Sequence, residues 1–200
     1  MIEDGCLDEV DEIYGYHNWP MKPAGVVQIK PGAMMAHVSN LTINITGVGV
    51  HGSLPECGKD AVLCGAAVVV ALQQVVSRCV PSDSRAVVSV CTFHSGEAGN
   101  VLPDTAKLTG TIRDLDPVIF ALVDKKIREV VAGTCAAYGC QGETIIASEY
   151  PVVMNHAKET ANVAGLARDF FGADMVTEVR PPAVAPARPS NLRTHPPLSM

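Results

Sequence analysis

Leu41-Thr42-Ile43-Asn44-Ile45-Thr46, residues 41–46, alternates apolar and polar side chains without a break. Successive side chains of a strand point to opposite faces, so this stretch predicts a β-strand with one buried face. The elements after it decide the fold. Asp60 opens a helix that runs to about Arg78, apolar nearly all round, with Pro81 beyond its end. Val87 to Phe93 is a β-branched run that predicts a second strand. A Gly-rich loop, Ser95-Gly96-Glu97-Ala98-Gly99-Asn100, separates it from Lys107 to Arg113, which alternates again. There Leu108, Gly110 and Ile112 share one face, and Lys107, Thr109, Thr111 and Arg113 share the other. Asp116 followed by Pro117 is a helix start, a capping carboxylate before a proline at the first helical position. Ile119, Val123, Ile127 and Val130 form a stripe at helical spacing, and Gly139 ends the element after Tyr138. A last strand is predicted over about Glu143 to Tyr150. Strand, helix, strand, strand, helix, strand is the order of the α+β ferredoxin-like fold, an antiparallel sheet with both helices on one face. The polar strand faces agree, because no second layer has to cover them.

The flanks of this unit read differently. Ile13 to His17 and Val26 to Ile29 predict short strands around a Pro-rich turn. Beyond the unit, Lys158 to Phe171 predicts a helix and Met175 to Val179 a strand. Two such flanks around a compact insert imply a discontinuous α/β domain, with parts at 1–35 and 151–180 and the ferredoxin-like insert at 36–150. From Pro181 six prolines fall in 20 residues with no periodic apolar pattern, so 181–200 is expected to be a disordered tail.

Composition narrows the function. An apolar share of 48% against 18% charged residues is that of a globular chain. A net charge of −6 with 4% aromatics lacks the basic footprint and stacking platforms of a nucleic-acid surface, and it excludes RNA recognition by the sheet. The seven cysteines are scattered and form no C-x-x-C pair, which fits a reduced protein with buried thiols. The start is acidic where a secretory signal would be basic and then apolar. The most apolar run, Ala61 to Leu72, contains a glycine and falls short of the ~20 residues of a membrane span. A cytoplasmic protein with no membrane partner is the expectation. The acidic residues Asp4, Asp8, Glu9, Asp11 and Glu12 are read as a solvated helical face.

Four motifs stand in order: G-Y-H-N-W-P at 15–20, G-V-G-V-H-G-S-L-P at 47–55, N-V-L-P-D at 100–104 and G-T-I-R at 110–113. With M-I-E-D-G at the start, they resemble the dimerising metallopeptidases and amidohydrolases of the aminoacylase, hippurate hydrolase and carboxypeptidase G type, over roughly residues 1–180. The resemblance implies hydrolysis of the amide of N-acyl amino acids or small peptides at a two-metal centre holding zinc, manganese or cobalt. It also implies a ferredoxin-like lid, inserted in the catalytic domain, that makes a homodimer.

His17 lies just past a predicted strand, in a turn bounded by Gly15 and Pro20. Taken alone it is either a metal ligand or a turn histidine bonded to backbone, and one histidine is no metal site. The resemblance implies the ligand. His51, between Gly49 and Gly52, is either a solvated loop histidine or a catalytic donor. Attack on an amide builds negative charge on the carbonyl oxygen, and a placed donor lowers that barrier. The resemblance implies that His51 reaches into the partner subunit's active site. It likewise gives Asn100 to substrate binding and Arg113 to a substrate carboxylate, which its bidentate fork suits. An arginine on an uncovered sheet face is the other account of Arg113.

The pattern also departs from the family's. A cysteine–histidine pair and tandem glutamates, expected upstream as ligands and general base, are not in the 200 residues, and His195 lacks the expected neighbours of a final ligand. The chain therefore reads as truncated at both ends, without tight metal binding or amidase activity by itself. A non-catalytic module that dimerises with itself or with a full-length relative is the alternative.

Overall fold

The computed structural model describes residues 2–178. In chain order its strands and helices are β1 (Val27–Ile29), β2 (Gly32–Met35), β3 (His37–Thr46), β4 (Val50–His51), α1 (Ala61–Gln74), β5 (Ala86–Ser95), β6 (Val101–Leu102), β7 (Thr105–Asp114), α2 (Pro117–Ala137), β8 (Gln141–Tyr150), β9 (Val153–Asn155), α3 (Ala157–Phe171) and β10 (Val176–Glu178). The principal sheet has the order β5-β7-β3-β8, with every neighbouring pair antiparallel. Together with α1 and α2 this is the ferredoxin-like arrangement expected from the element order.

The alternation in β3 does what its period requires: Leu41, Ile43 and Ile45 are almost wholly buried, while Asn40 and Thr46 are exposed. Leu108 and Ile112 of β7 are buried on the same face. Above them lie Cys64, Val68 and Leu72 of α1 and Val123, Ile127 and Val131 of α2. Each fully buried aliphatic side chain contributes roughly 2 kcal/mol by leaving water. Both helices begin at the expected caps. The Leu63 N–H donates to the Asp60 carboxylate at 2.8 Å, and the Val118 N–H to that of Asp116 at 2.8 Å. Such caps stabilise a helix by about 1 kcal/mol each. At its other end α2 stops where Gly139 takes φ +68.

The buried stripe of α2 is Ile119, Val123, Ile127, Val131 and Cys135, so Val131 and not Val130 continues it. After α1 the chain adds a π-helical turn, Val75–Cys79. The combined 19-residue helix, of mean hydropathy 1.7, is long and apolar enough to cross a membrane, unlike the shorter run read from sequence. Here it is one layer of a two-layer unit, with Ala61, Cys64, Val68, Leu72 and Val75 turned into the core.

The flanks meet beside the sheet. β2 pairs antiparallel with β9 and β1 pairs parallel with β10, and α3 packs on this parallel pair. Ile13 to His17 is not a strand: it runs exposed and irregular, because a strand needs a hydrogen-bonding neighbour and this segment has none among the described residues. The acidic start is solvated, as expected, but only Ile2–Asp4 is helical there, as a 3-10 turn. The tail read as disordered, and His195 within it, lie outside the described residues.

One polar cluster is buried in the sheet. His37 opens β3 opposite Asp114, the last residue of β7. Its Nδ1 lies 2.7 Å from an Asp114 carboxylate oxygen and its Nε2 2.8 Å from the Ser148 hydroxyl on β8. The Phe120 ring of α2 meets the imidazole edge-on, with centroids 4.4 Å apart. A carboxylate only accepts, so Nδ1–H donates to Asp114, while Nε2 faces hydroxyls that can donate or accept. Two hydroxyls, Ser148 and Ser39, share that nitrogen, which suits a pin joining three strands. The second oxygen of Asp114 is buried without a hydrogen-bond partner among the described residues, so the carboxylate depends on His37. His37→Ala is expected to cost about 3 kcal/mol in urea unfolding, by stranding that charge. His37→Ala/Asp114→Ala should cost less than the sum of the two single variants.

All seven cysteines are free, but only three are buried as the composition led us to expect; Cys6, Cys57 and Cys91 are exposed and Cys79 is half-buried. Cys64, Cys135 and Cys140 meet between the helices, the first two with their sulfurs 3.7 Å apart. Burial pushes the Cys64 and Cys140 thiols up to about 11 from an ordinary 9.0. The unfolded chain therefore releases these protons first as pH rises. Their contribution to stability is whole below pH 9 and is lost between 9 and about 11. Thermal unfolding across that window should show the loss, and Cys64→Ala/Cys140→Ala should flatten it.

Candidate functional site

Where β3 ends at Thr46 and β7 begins at Thr105, two loops leave the same end of the sheet. The first carries β4 and the second β6, and these pair antiparallel with Val50 opposite Leu102 and His51 opposite Val101. The Gly52 N–H donates to the Asn100 carbonyl at 2.7 Å, and the Gly47 N–H to the Asp104 carbonyl at 2.7 Å. Val48 and Lys59 exchange two further backbone bonds of 3.0 Å, closing the base of the first loop. The glycines of the G-V-G-V-H-G motif permit these approaches. A Cβ on Gly47 would stand 2.1 Å from the Lys59 carbonyl oxygen, and one on Gly52 would stand 3.1 Å from the Asn100 carbonyl oxygen.

This ribbon brings His51 and Asn100 close along the backbone, with His51 opposite Val101 and Gly52 bonded to Asn100; both residues are exposed, although 49 residues separate them in sequence. The His51 ring is held by its own loop: Nδ1 lies 2.8 Å from the Ser53 hydroxyl and accepts from the Ser53 main-chain N–H at 3.2 Å. Ser53 was not among the residues singled out from sequence. Its only signal is the H-x-S spacing, which allows a side chain to reach back two residues.

Arg113 is elsewhere. It sits near the far end of β7, between Val38 of β3 and Val87 of β5, with its guanidinium on the Ile112 carbonyl at 2.9 Å and on the Thr111 hydroxyl. From Thr105 to Arg113 is eight steps along a strand, roughly 27 Å. Within one chain Arg113 and the start of the ribbon therefore lie toward opposite ends of β7.

His17 makes its contacts within its own turn. It is exposed, with Nδ1 2.8 Å from the Asn18 carbonyl and its ring against Trp19 at 5.4 Å. Among the described residues no group of three or more His, Cys, Asp or Glu side chains is placed to hold a metal ion. A zinc-type site draws three or four ligands from the protein, so these residues do not themselves make one.

Residues 32–139 match the peptidase dimerisation domain of the M20 peptidases. The chain belongs to this family. Within the M20 family it is 39% identical over 181 residues to the putative amidohydrolase YhaA of Bacillus subtilis, covering 90% of this chain and 46% of that protein. It is 34% identical to the hippurate hydrolase of Campylobacter jejuni, covering 86% of this chain and 45% of the relative. Among solved structures, the Bacillus subtilis YxeP protein, described as a dinuclear metal-binding M20 peptidase, superposes with a TM-score of 0.69 at 26% identity. That match covers 92% of this chain and 45% of YxeP. The chain thus spans about half the length of the curated relatives it matches, and those relatives are amidohydrolases and deacylases.

In this M20 dimerisation domain the loop geometry depends on close backbone approach. Gly47→Ala should therefore cost about 2 kcal/mol, as overpacking against a fixed carbonyl does. Amide hydrogen exchange should rise in 47–59 and 100–104 while β3 and β7 stay protected.

Proposed function

We propose that this chain is the lid portion of an M20 amidohydrolase that cleaves the amide of N-acyl amino acids or small peptides, and that it supplies His51 and Asn100 to a partner subunit. The observation that carries the proposal is the ribbon, which leaves the sheet where β7 begins and brings exposed His51 and Asn100 close along the backbone, while Arg113 lies near the other end of β7. A two-fold pair of lids can place the tip of one beside the Arg113 end of the other, which one chain cannot do. There His51 would donate to the carbonyl oxygen as it gains charge, Asn100 would hold the substrate, and Arg113 would take its carboxylate. The relatives' names, amidohydrolase and hippurate hydrolase, support amide substrates. Zinc, manganese or cobalt would need ligands that the described residues do not gather.

The pairing surface is α1 with the edge strand β5. Val62, Leu63 and Val70 are exposed on α1 (Val70 is 73% exposed), and β5 ends the sheet with one edge unpaired. Apolar residues on the outer side of a core helix and an open strand edge both favour a second copy over solvent. Val70→Asp is expected to weaken self-association by ~100-fold, about 2.7 kcal/mol, in sedimentation equilibrium. A wild-type chain that stays monomeric at every concentration would overturn the pairing.

By itself the chain is proposed to be inactive, since the groups above are divided and His17 belongs to no group of three or more metal-ligating side chains among the described residues. Metal analysis of the purified chain beside an N-acyl amino acid hydrolysis assay is expected to give neither stoichiometric metal nor turnover; both together would refute this. The same observations favour a second reading, a non-catalytic dimerisation module. Size-exclusion chromatography with an active full-length relative should then show a mixed species.

A further inference from the structure

We infer that Ser53 is a positioning residue that fixes His51 as its Nε2–H tautomer, so that the outer nitrogen of the ring offers a donor; this rests on the role proposed for His51 above. The main-chain N–H of Ser53 points at His51 Nδ1 from 3.2 Å. An amide N–H can only donate, so Nδ1 must present a lone pair. A neutral imidazole has one proton, and it is then on Nε2. The Ser53 hydroxyl stands 2.8 Å from the same nitrogen and, facing a lone pair, donates to it as well. Two donors from one residue therefore read the same side of the ring.

His37 shows the opposite case within the same chain. Its Nδ1 faces the Asp114 carboxylate, which can only accept, so there the proton is on Nδ1. The buried histidine that joins strands thus has a proton on Nδ1, the nitrogen that the exposed one on the ribbon leaves bare, each decided by its immediate partner. The difference matters for a ring that meets a carbonyl oxygen gaining charge. An Nε2 lone pair would repel that oxygen, whereas Nε2–H stabilises it without any reorganisation. Ser53 also limits ring rotation. It is two residues from His51 on a loop pinned by the Gly52 to Asn100 bond, so its hydroxyl moves little relative to the imidazole.

The test is long-range proton–nitrogen correlation NMR on the 200-residue chain labelled with nitrogen-15 histidine, at alkaline pH, with His51→Gln identifying the signals. The expected result is a single Nε2–H tautomer for His51 in the folded chain, against a mixture for the same ring in urea. An Nδ1–H ring, or the urea mixture persisting in the folded chain, would overturn the inference. Ser53→Ala keeps the main-chain donor and loses only the hydroxyl, so it is expected to keep the Nε2–H tautomer and to increase ring motion, while the amide signals of the β3–β7 sheet stay in place. Ser53→Thr, which keeps the hydroxyl, should restore the native ring order. A Ser53→Ala ring as ordered as the native one would overturn the positioning role of the hydroxyl, and an Nδ1–H ring in that variant would overturn the reading of the main-chain donor. Failure of the proposed function is separate: a chain that neither pairs nor contributes to hydrolysis could still show the Nε2–H ring.

Discussion

The ten-rung pairing of β3 with β7, from His37 opposite Asp114 to Thr46 opposite Thr105, is the constraint on which the rest of the structure depends. These are the two central strands, so their register fixes where both ends of the sheet lie. At one end it brings a histidine against a carboxylate that would otherwise be buried with no partner. At the other it releases two loops within backbone hydrogen-bonding distance of each other, and they zip into the β4–β6 ribbon that carries His51 and Asn100. A slip of one residue would turn Leu41, Ile43 and Ile45 to solvent, and it would part both pairs at once. The core and the candidate site are therefore specified by the same ladder.

The first helix shows how a single composition serves two surfaces. From Ala61 to Gln74 it carries no charged residue, and its buried positions face the sheet while Val62, Leu63 and Val70 face outward. Length and hydropathy alone do not separate such a helix from a membrane span. The surroundings do. Asp60 caps it in an exposed turn, its inner side is packed against the sheet and α2, and an open strand edge lies beside it. An outward apolar face next to an unpaired edge is what a lid that pairs with a second lid would leave on the isolated chain. The same reasoning applies to Leu166 and Phe170 of α3, exposed on a chain that spans about half of its relatives.

Features set by near neighbours in sequence were legible beforehand. The alternation of Leu41, Ile43 and Ile45, the caps Asp60 and Asp116, and the stop at Gly139 are local, and the structure has each of them. Features set by a distant partner were not. Ile13 to His17 has the residues of a strand but no neighbour to bond among the described residues, so it is irregular. On α2 the buried series advances by four residues each time and thereby selects Val131, since the groove over the sheet, where Val131 and Cys135 crowd Gly142, sets the face. His37 and Asp114 are 77 residues apart and meet only through register. His51 and Asn100 were singled out through a resemblance of motifs. That they are neighbours is a fact of the ladder, which no spacing in the chain expresses.

The division of the candidate groups gives that ladder a further consequence. A sheet ten residues long holds its ends apart, and nothing in a rigid, close-packed unit of this kind can fold Arg113 back onto its own ribbon. On the proposed reading, polar side chains for a small substrate must converge within a few ångströms, so one copy of the domain would present either the ribbon or the arginine to a given cleft. If both act on one substrate, two copies must be present, and the sheet that separates the groups within one chain becomes the strut that spans the pair. On the proposed reading, dimerisation is then a condition of assembling the site, and the rigidity that keeps one lid incomplete is what would let two lids position its parts reproducibly.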